Sequence, residues 1–102
     1  MKMNVYMKGR DNQFDAFGIY EGKVLTVKKG SRITENVSKK IQPIVLRLRE
    51  DSETVSNNIL LKDVTFRSPS TAASFVSGTI SNGMVKWKDK NGTPLRRITL
   101  SE

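Results

Sequence analysis

Neither cysteine nor histidine occurs in the 102 residues. Without cysteine there is no disulfide framework and no thiolate metal site. Without histidine, the side chain that most often moves protons near neutral pH is missing. The longest aliphatic runs, Ile44-Val45-Leu46 and Ile59-Leu60-Leu61, fall far short of the roughly 18 residues that a bilayer-spanning helix needs. No membrane partner is therefore expected. The start, Met1 to Asn4 followed by Lys8 and Arg10, has no apolar stretch like a secretion signal, so a cytoplasmic chain is expected. No Gly-rich loop carrying the lysine of a nucleotide site is present. The carboxylates Glu50, Asp51 and Glu53 fall in a polar connection, where solvation keeps their chemistry ordinary. A catalyst is not expected, nor a metal or other cofactor.

What the chain does have is positive charge. Eighteen Lys and Arg against ten Asp and Glu leave +8, with a pI near 10.1. Polyanions are the obvious partners, and solubility alone is the competing explanation. Hydrophobic residues at 36% and a mean hydropathy of -0.45 leave enough for one thin core. The length suits one domain over 1–102, and no repeat or linker divides it.

Alternation and turn signals predict a hairpin from Phe14–Tyr20 through Glu21-Gly22 to Val24–Val27, with Asn4–Met7 as a further strand. Ile41, Ile44, Val45 and Leu48 recur at helical spacing, which predicts a helix starting near Pro43 and ending near Asp51, with Arg47 and Arg49 at the edge of its apolar face. Residues 51–58 are polar and read as an exposed connection. A second helix is marked by a Ser68 cap, Pro69 in the first turn and a Gly78 stop. Val85 and Trp87 alternate with Lys86 and Lys88, which predicts a strand burying Trp87 with both lysines outward, before Asp89–Gly92 turns the chain back. The fold class is α+β: a small antiparallel sheet packed against two helices.

Three basic features are candidate sites. Between Lys86 and Arg97, five cations (Lys86, Lys88, Lys90, Arg96, Arg97) and one acid, Asp89, leave +4, half of the net charge. Lys28, Lys29 and Arg32 surround the Gly30-Ser31 turn. Arg67 stands beside the Ser68 helix start, whose N–H groups are capped by the serine or offered to a phosphate, and a cap does not exclude an anion in the same place. In each cluster, phosphate contact competes with simple solvation.

The run Phe66-Arg67-Ser68-Pro69-Ser70-Thr71-Ala72-Ala73, then Gly78, Asn82-Gly83, Trp87-Lys88, Gly92 and Leu95, resembles a bacterial domain family of unknown function often found C-terminal to GIY-YIG-type nuclease domains. Asp15–Tyr20, Val24–Val27 and Lys29-Gly30-Ser31 match the other half of that pattern. A more distant similarity is to domains accompanying restriction enzymes and adenine methylases. Both imply a DNA-processing context. The 102 residues hold no nuclease domain themselves: Gly18-Ile19-Tyr20 has no Tyr-Ile-Gly after it. The expectation is a non-catalytic accessory module that binds nucleic acid, DNA before RNA, by docking on phosphates of the duplex. The alternative is a protein-interaction module that positions a separate nuclease or methylase through an apolar or edge-strand surface.

Overall fold

The computed structural model describes residues 2–100. Strands β1 (Lys2–Lys8), β2 (Asp15–Glu21), β3 (Val24–Val27) and β6 (Val64–Phe66) form an antiparallel sheet in the order β1-β2-β3-β6. A second, two-stranded ladder joins β4 (Val55–Ser56) to β5 (Ile59–Leu60). The described residues also form a 3-10 turn (Arg10–Asn12) and four α-helices: α1 (Pro43–Glu50), α2 (Pro69–Ser77), α3 (Gly83–Lys86) and α4 (Leu95–Leu100). The fold is α+β.

The period of two along a strand sends alternate side chains to opposite faces. Val5, Met7, Ala16, Tyr20, Leu25, Val27 and Phe66 point to one side, where they join Phe75, Val76, Trp87 and Leu95 in one core. Helix α2 packs over β3 and β6, with α1 and α3 against α2 and α4 against α3. Tyr6, Phe17 and Val24 alternate with those core positions and remain 40–44% exposed. One face of the sheet is covered by helices and the other is bare.

Helix α2 forms where its local signals place it. The Ser68 hydroxyl accepts the Thr71 N–H at 3.2 Å, Pro69 occupies the first turn, and Gly78 ends the helix in the left-handed region at φ 77°. Its last-turn carbonyls are held by Arg49, which was expected only to edge α1. The Arg49 guanidinium donates to the carbonyls of Phe75 (2.9 Å) and Val76 (3.3 Å), and to the carbonyl (2.8 Å) and hydroxyl (2.9 Å) of Thr34. Partial burial lowers its pKa from the usual guanidinium range to about 10, which leaves it protonated at neutral pH. A cation at a helix C-terminus also opposes the helix dipole favourably.

Three expectations are corrected. Residues 86–88 are not a strand: Gly83–Lys86 is one helical turn, capped by the Asn82 side chain on the Met84 N–H. Trp87 is fully buried as expected, but as the residue that leaves this turn. Lys86 and Lys88 are therefore not two rungs of one strand face. Residues 51–58 are not merely an exposed connection. Thr54 is fully buried, and Asn57 and Asn58, at φ 51° and 64°, make the tight turn between β4 and β5, as paired positive φ values do in two-residue hairpins. In α1 only Val45 is buried, while Ile44 is 47% exposed, because the helix rests on its neighbour along a narrow seam.

Candidate nucleic-acid interface

The segment after α3 docks on the free edge of β1. Tyr6 donates its N–H to the Lys88 carbonyl at 2.7 Å and accepts the Lys88 N–H at 2.9 Å. Lys88 in turn bridges to Pro94, and Leu95 donates to the Trp87 carbonyl at 3.0 Å. Directly paired residues in an antiparallel ladder project to the same side. Lys88 therefore shares the bare face with Tyr6, while Trp87 turns into the core. Its indole N–H donates to the Pro69 carbonyl at 3.1 Å, which locks the segment against the first turn of α2. Gly83 makes that approach possible, since a Cβ there would collide with the Pro69 carbonyl.

Extending this row across the sheet shows how the predicted basic clusters are arranged. Tyr6 stands opposite Phe17, and the Phe17 carbonyl accepts the Lys28 N–H at 2.9 Å. Lys28 follows Val27, which pairs with Val64, so Asp63 comes next, and its carboxylate meets the Lys28 ammonium at 2.8 Å. That bond and the Lys29 N–H hold the Asp63 carboxyl below its usual 3.8. The row reads Lys88, Tyr6, Phe17, Lys28, Asp63. It links the 86–97 segment to the 28–32 cluster through two exposed rings.

The remaining predicted residues surround this row unevenly. Lys86 ends α3, Lys90 lies in the turn after Lys88, and Arg96 and Arg97 belong to α4; all four are exposed. Asp89, the acid among them, accepts the Asn91 and Thr93 N–H groups, each at 2.9 Å, so it is tied into its own turn. Arg67 follows β6 in the register that puts it opposite Val24. Arg32 exchanges backbone hydrogen bonds with Asp15 and lines a separate polar cleft of about 540 Å³ with Glu35 and Asn58. Ser68 caps α2. Pro69 has no N–H, and the Gly83 backbone lies against the Ser70 nitrogen, so protein occupies much of the space at that helix start.

Tyr6 and Phe17 were not among the residues singled out from sequence. The signal was nonetheless available. Asn4-Val5-Tyr6-Met7 and Asp15-Ala16-Phe17-Gly18 place each ring in step with a polar neighbour, on the face that alternation assigns to solvent. Among the described residues, no group of three acidic side chains is close enough to hold a metal ion, and no helix is long and apolar enough to cross a membrane.

Residues 5–99 match the family described as Domain of unknown function (DUF4357). No curated protein and no solved structure matches the chain.

Proposed function

This chain belongs to the DUF4357 family, and we propose that it is a non-catalytic accessory domain that docks on nucleic acid, DNA before RNA, chiefly through phosphates. One observation carries the reading. The +4 segment is fastened to the edge of the sheet by the paired backbone bonds of Lys88 and Tyr6, with Lys86, Lys88, Lys90 and Arg96 exposed and Asp89 tied up in its own turn. Cations on a fixed support lose little freedom when they meet a polyanion, and each phosphate they neutralise releases condensed counterions. The resemblance to domains found beside GIY-YIG nucleases, restriction enzymes and adenine methylases supports a DNA-processing context, with a separate nuclease or methylase as partner. The absence of histidine and cysteine from the sequence supports a role without chemistry and without a cofactor.

A titration of labelled duplex DNA by fluorescence anisotropy tests this reading. Binding should be weak at low salt and weaken steeply as salt rises, with a log-log slope of roughly 0.9 per phosphate contacted. Replacing Lys86→Glu and Lys88→Glu together should abolish most of it and leave the circular dichroism spectrum and Tm unchanged. Absence of binding at low salt, or an undiminished double variant, would overturn the reading. The second reading, a protein-positioning module, is favoured by the apolar surface left at Ile44 (47% exposed) and Ile80 (63% exposed).

A further inference from the structure

We propose that the bare face of the sheet is a stacking platform for unpaired bases, so that the preferred ligand is single-stranded nucleic acid. The inference rests on the docking reading above and specifies its ligand. It starts from an anomaly of the fold. The solvent face of a two-layer antiparallel sheet is ordinarily polar, yet here Tyr6 on the edge strand and Phe17 on the next stand directly opposite each other, 44% and 40% exposed. A shallow groove of about 270 Å³ runs beside them, lined by Asn4, Tyr6, Phe17, Gly18, Ile19 and Lys28. Phe17 leans towards the basic turn: a Cβ on Gly30 would lie 3.9 Å from its Cζ.

Charge says what covers the rings. Of the acids on this face, Glu21 stands opposite Lys2 and Asp15 opposite Lys8 in the β1–β2 register, and Asp63 is paired with Lys28. Lys88 and Arg67 are left over as surplus cations, with the 86–97 segment adjoining them. An apolar protein partner would have to desolvate these cations. A nucleic-acid strand instead offers phosphates to the cations and a π-face to each ring. Every base has such a face, so stacking of this kind is tolerant of sequence. In a duplex the bases are stacked on one another and their faces are closed to the protein, whereas a single strand can splay them onto aromatic side chains. Asn4, beside the rings, offers an amide to base edges.

The test compares four probes of equal length on the full chain: oligodeoxythymidine, oligouridine, an abasic oligodeoxynucleotide and a duplex. Oligothymidine or oligouridine should bind at least tenfold tighter than the duplex, and the relative affinity of the two shows whether the strand is DNA or RNA. The abasic strand keeps phosphates and loses stacking, so it should bind no better than the duplex. Tyr6→Ala and Phe17→Ala should each reduce single-strand affinity by roughly tenfold, leaving duplex affinity and its salt slope unchanged. Tyr6→Leu with Phe17→Leu keeps the face apolar and should lose the same affinity. Tyr6→Trp should retain binding, and its added fluorescence should be quenched by the bases. Abasic and thymidine strands bound equally, or leucine variants bound as tightly as the parent, would overturn the platform while leaving phosphate docking in place. If none of the four probes binds the parent at low salt, docking and platform fall together.

Discussion

Trp87 and Tyr6 are nearly neighbours in space, since Lys88 pairs with Tyr6, yet the protein treats the two aromatic residues in opposite ways. Trp87 is fully buried with its indole N–H bonded to Pro69. Around it, Gly83 donates its N–H to the Ser70 hydroxyl, and Ser74 accepts the N–H of Ser81. Phe66 rests 5.2 Å from Phe75. In this clasp, Phe66, Ser70, Gly83 and Trp87, which carry the family resemblance, act with Phe75, Ser74 and Ser81 to hold α2 to α3 and to the sheet. Across the sheet, Tyr6 and Phe17 are half-exposed rings on a face no helix covers. The Ser68–Trp87 part of the recognisable motif is thus occupied in keeping the fold together, while the bare face also draws on residues outside the family pattern, Tyr6, Lys28 and Asp63 among them. Lys88, Phe17 and Arg67 belong both to the family pattern and to the bare face, and the Lys88 backbone also fastens the clasp segment to β1.

This contrast can be broken most forcefully at Trp87. Trp87→Ala empties the centre of the clasp and should cost about 3–5 kcal/mol, a large share of the roughly 5–15 kcal/mol that holds a typical domain folded. Urea unfolding followed by circular dichroism measures it. A loss under about 1 kcal/mol would mean that the clasp does not hold the molecule together.

Arg49 closes the other end of the motif helix, and its removal is the next largest effect. Arg49→Ala leaves the carbonyls of Phe75, Val76 and Thr34 without their charged donor, which should destabilise the chain by about 2–3 kcal/mol. Arg49→Lys should recover only part of this, because an ammonium cannot span four acceptors as a planar guanidinium does. Equal stability of the lysine variant and the parent would reduce Arg49 to a simple positive charge near the helix end.

Ser68 gives the smallest effect and sharpens the comparison most. As a cap, Ser68→Ala should cost about 1 kcal/mol and leave nucleic-acid affinity unchanged once the protein is kept folded. Loss of affinity in a variant with intact helicity would transfer the helix start from the structural half of the molecule to the binding half.

Helix α2 and strands β1 to β3 were legible in the sequence because their signals are local: a serine cap before proline, a glycine stop, and alternation closed by Glu21-Gly22. The 86–88 segment misled for a reason that is also local. Lysine alternating with tryptophan has the period of a strand, but Asn82 caps a helical turn and Gly83 allows that turn to press on Pro69. The β4–β5 hairpin carried its mark in Asn57-Asn58, two residues that tolerate positive φ. Its two-residue strands are too short for any periodicity to show.

Composition and pattern by themselves determined an α+β chain with one core, a surplus of positive charge, a capped second helix and a buried Trp87. Those properties follow from hydrophobic periodicity and from backbone preferences that act within a few residues. Only the tertiary structure decided that Lys88 would join Tyr6 on a bare face, that Tyr6 would stand beside Phe17 within reach of Lys28, and that Arg49 would serve α2 rather than its own helix. Each of these depends on contacts between segments far apart in the chain, set by strand register and by how closely one backbone can approach another, and no local window of residues contains that information.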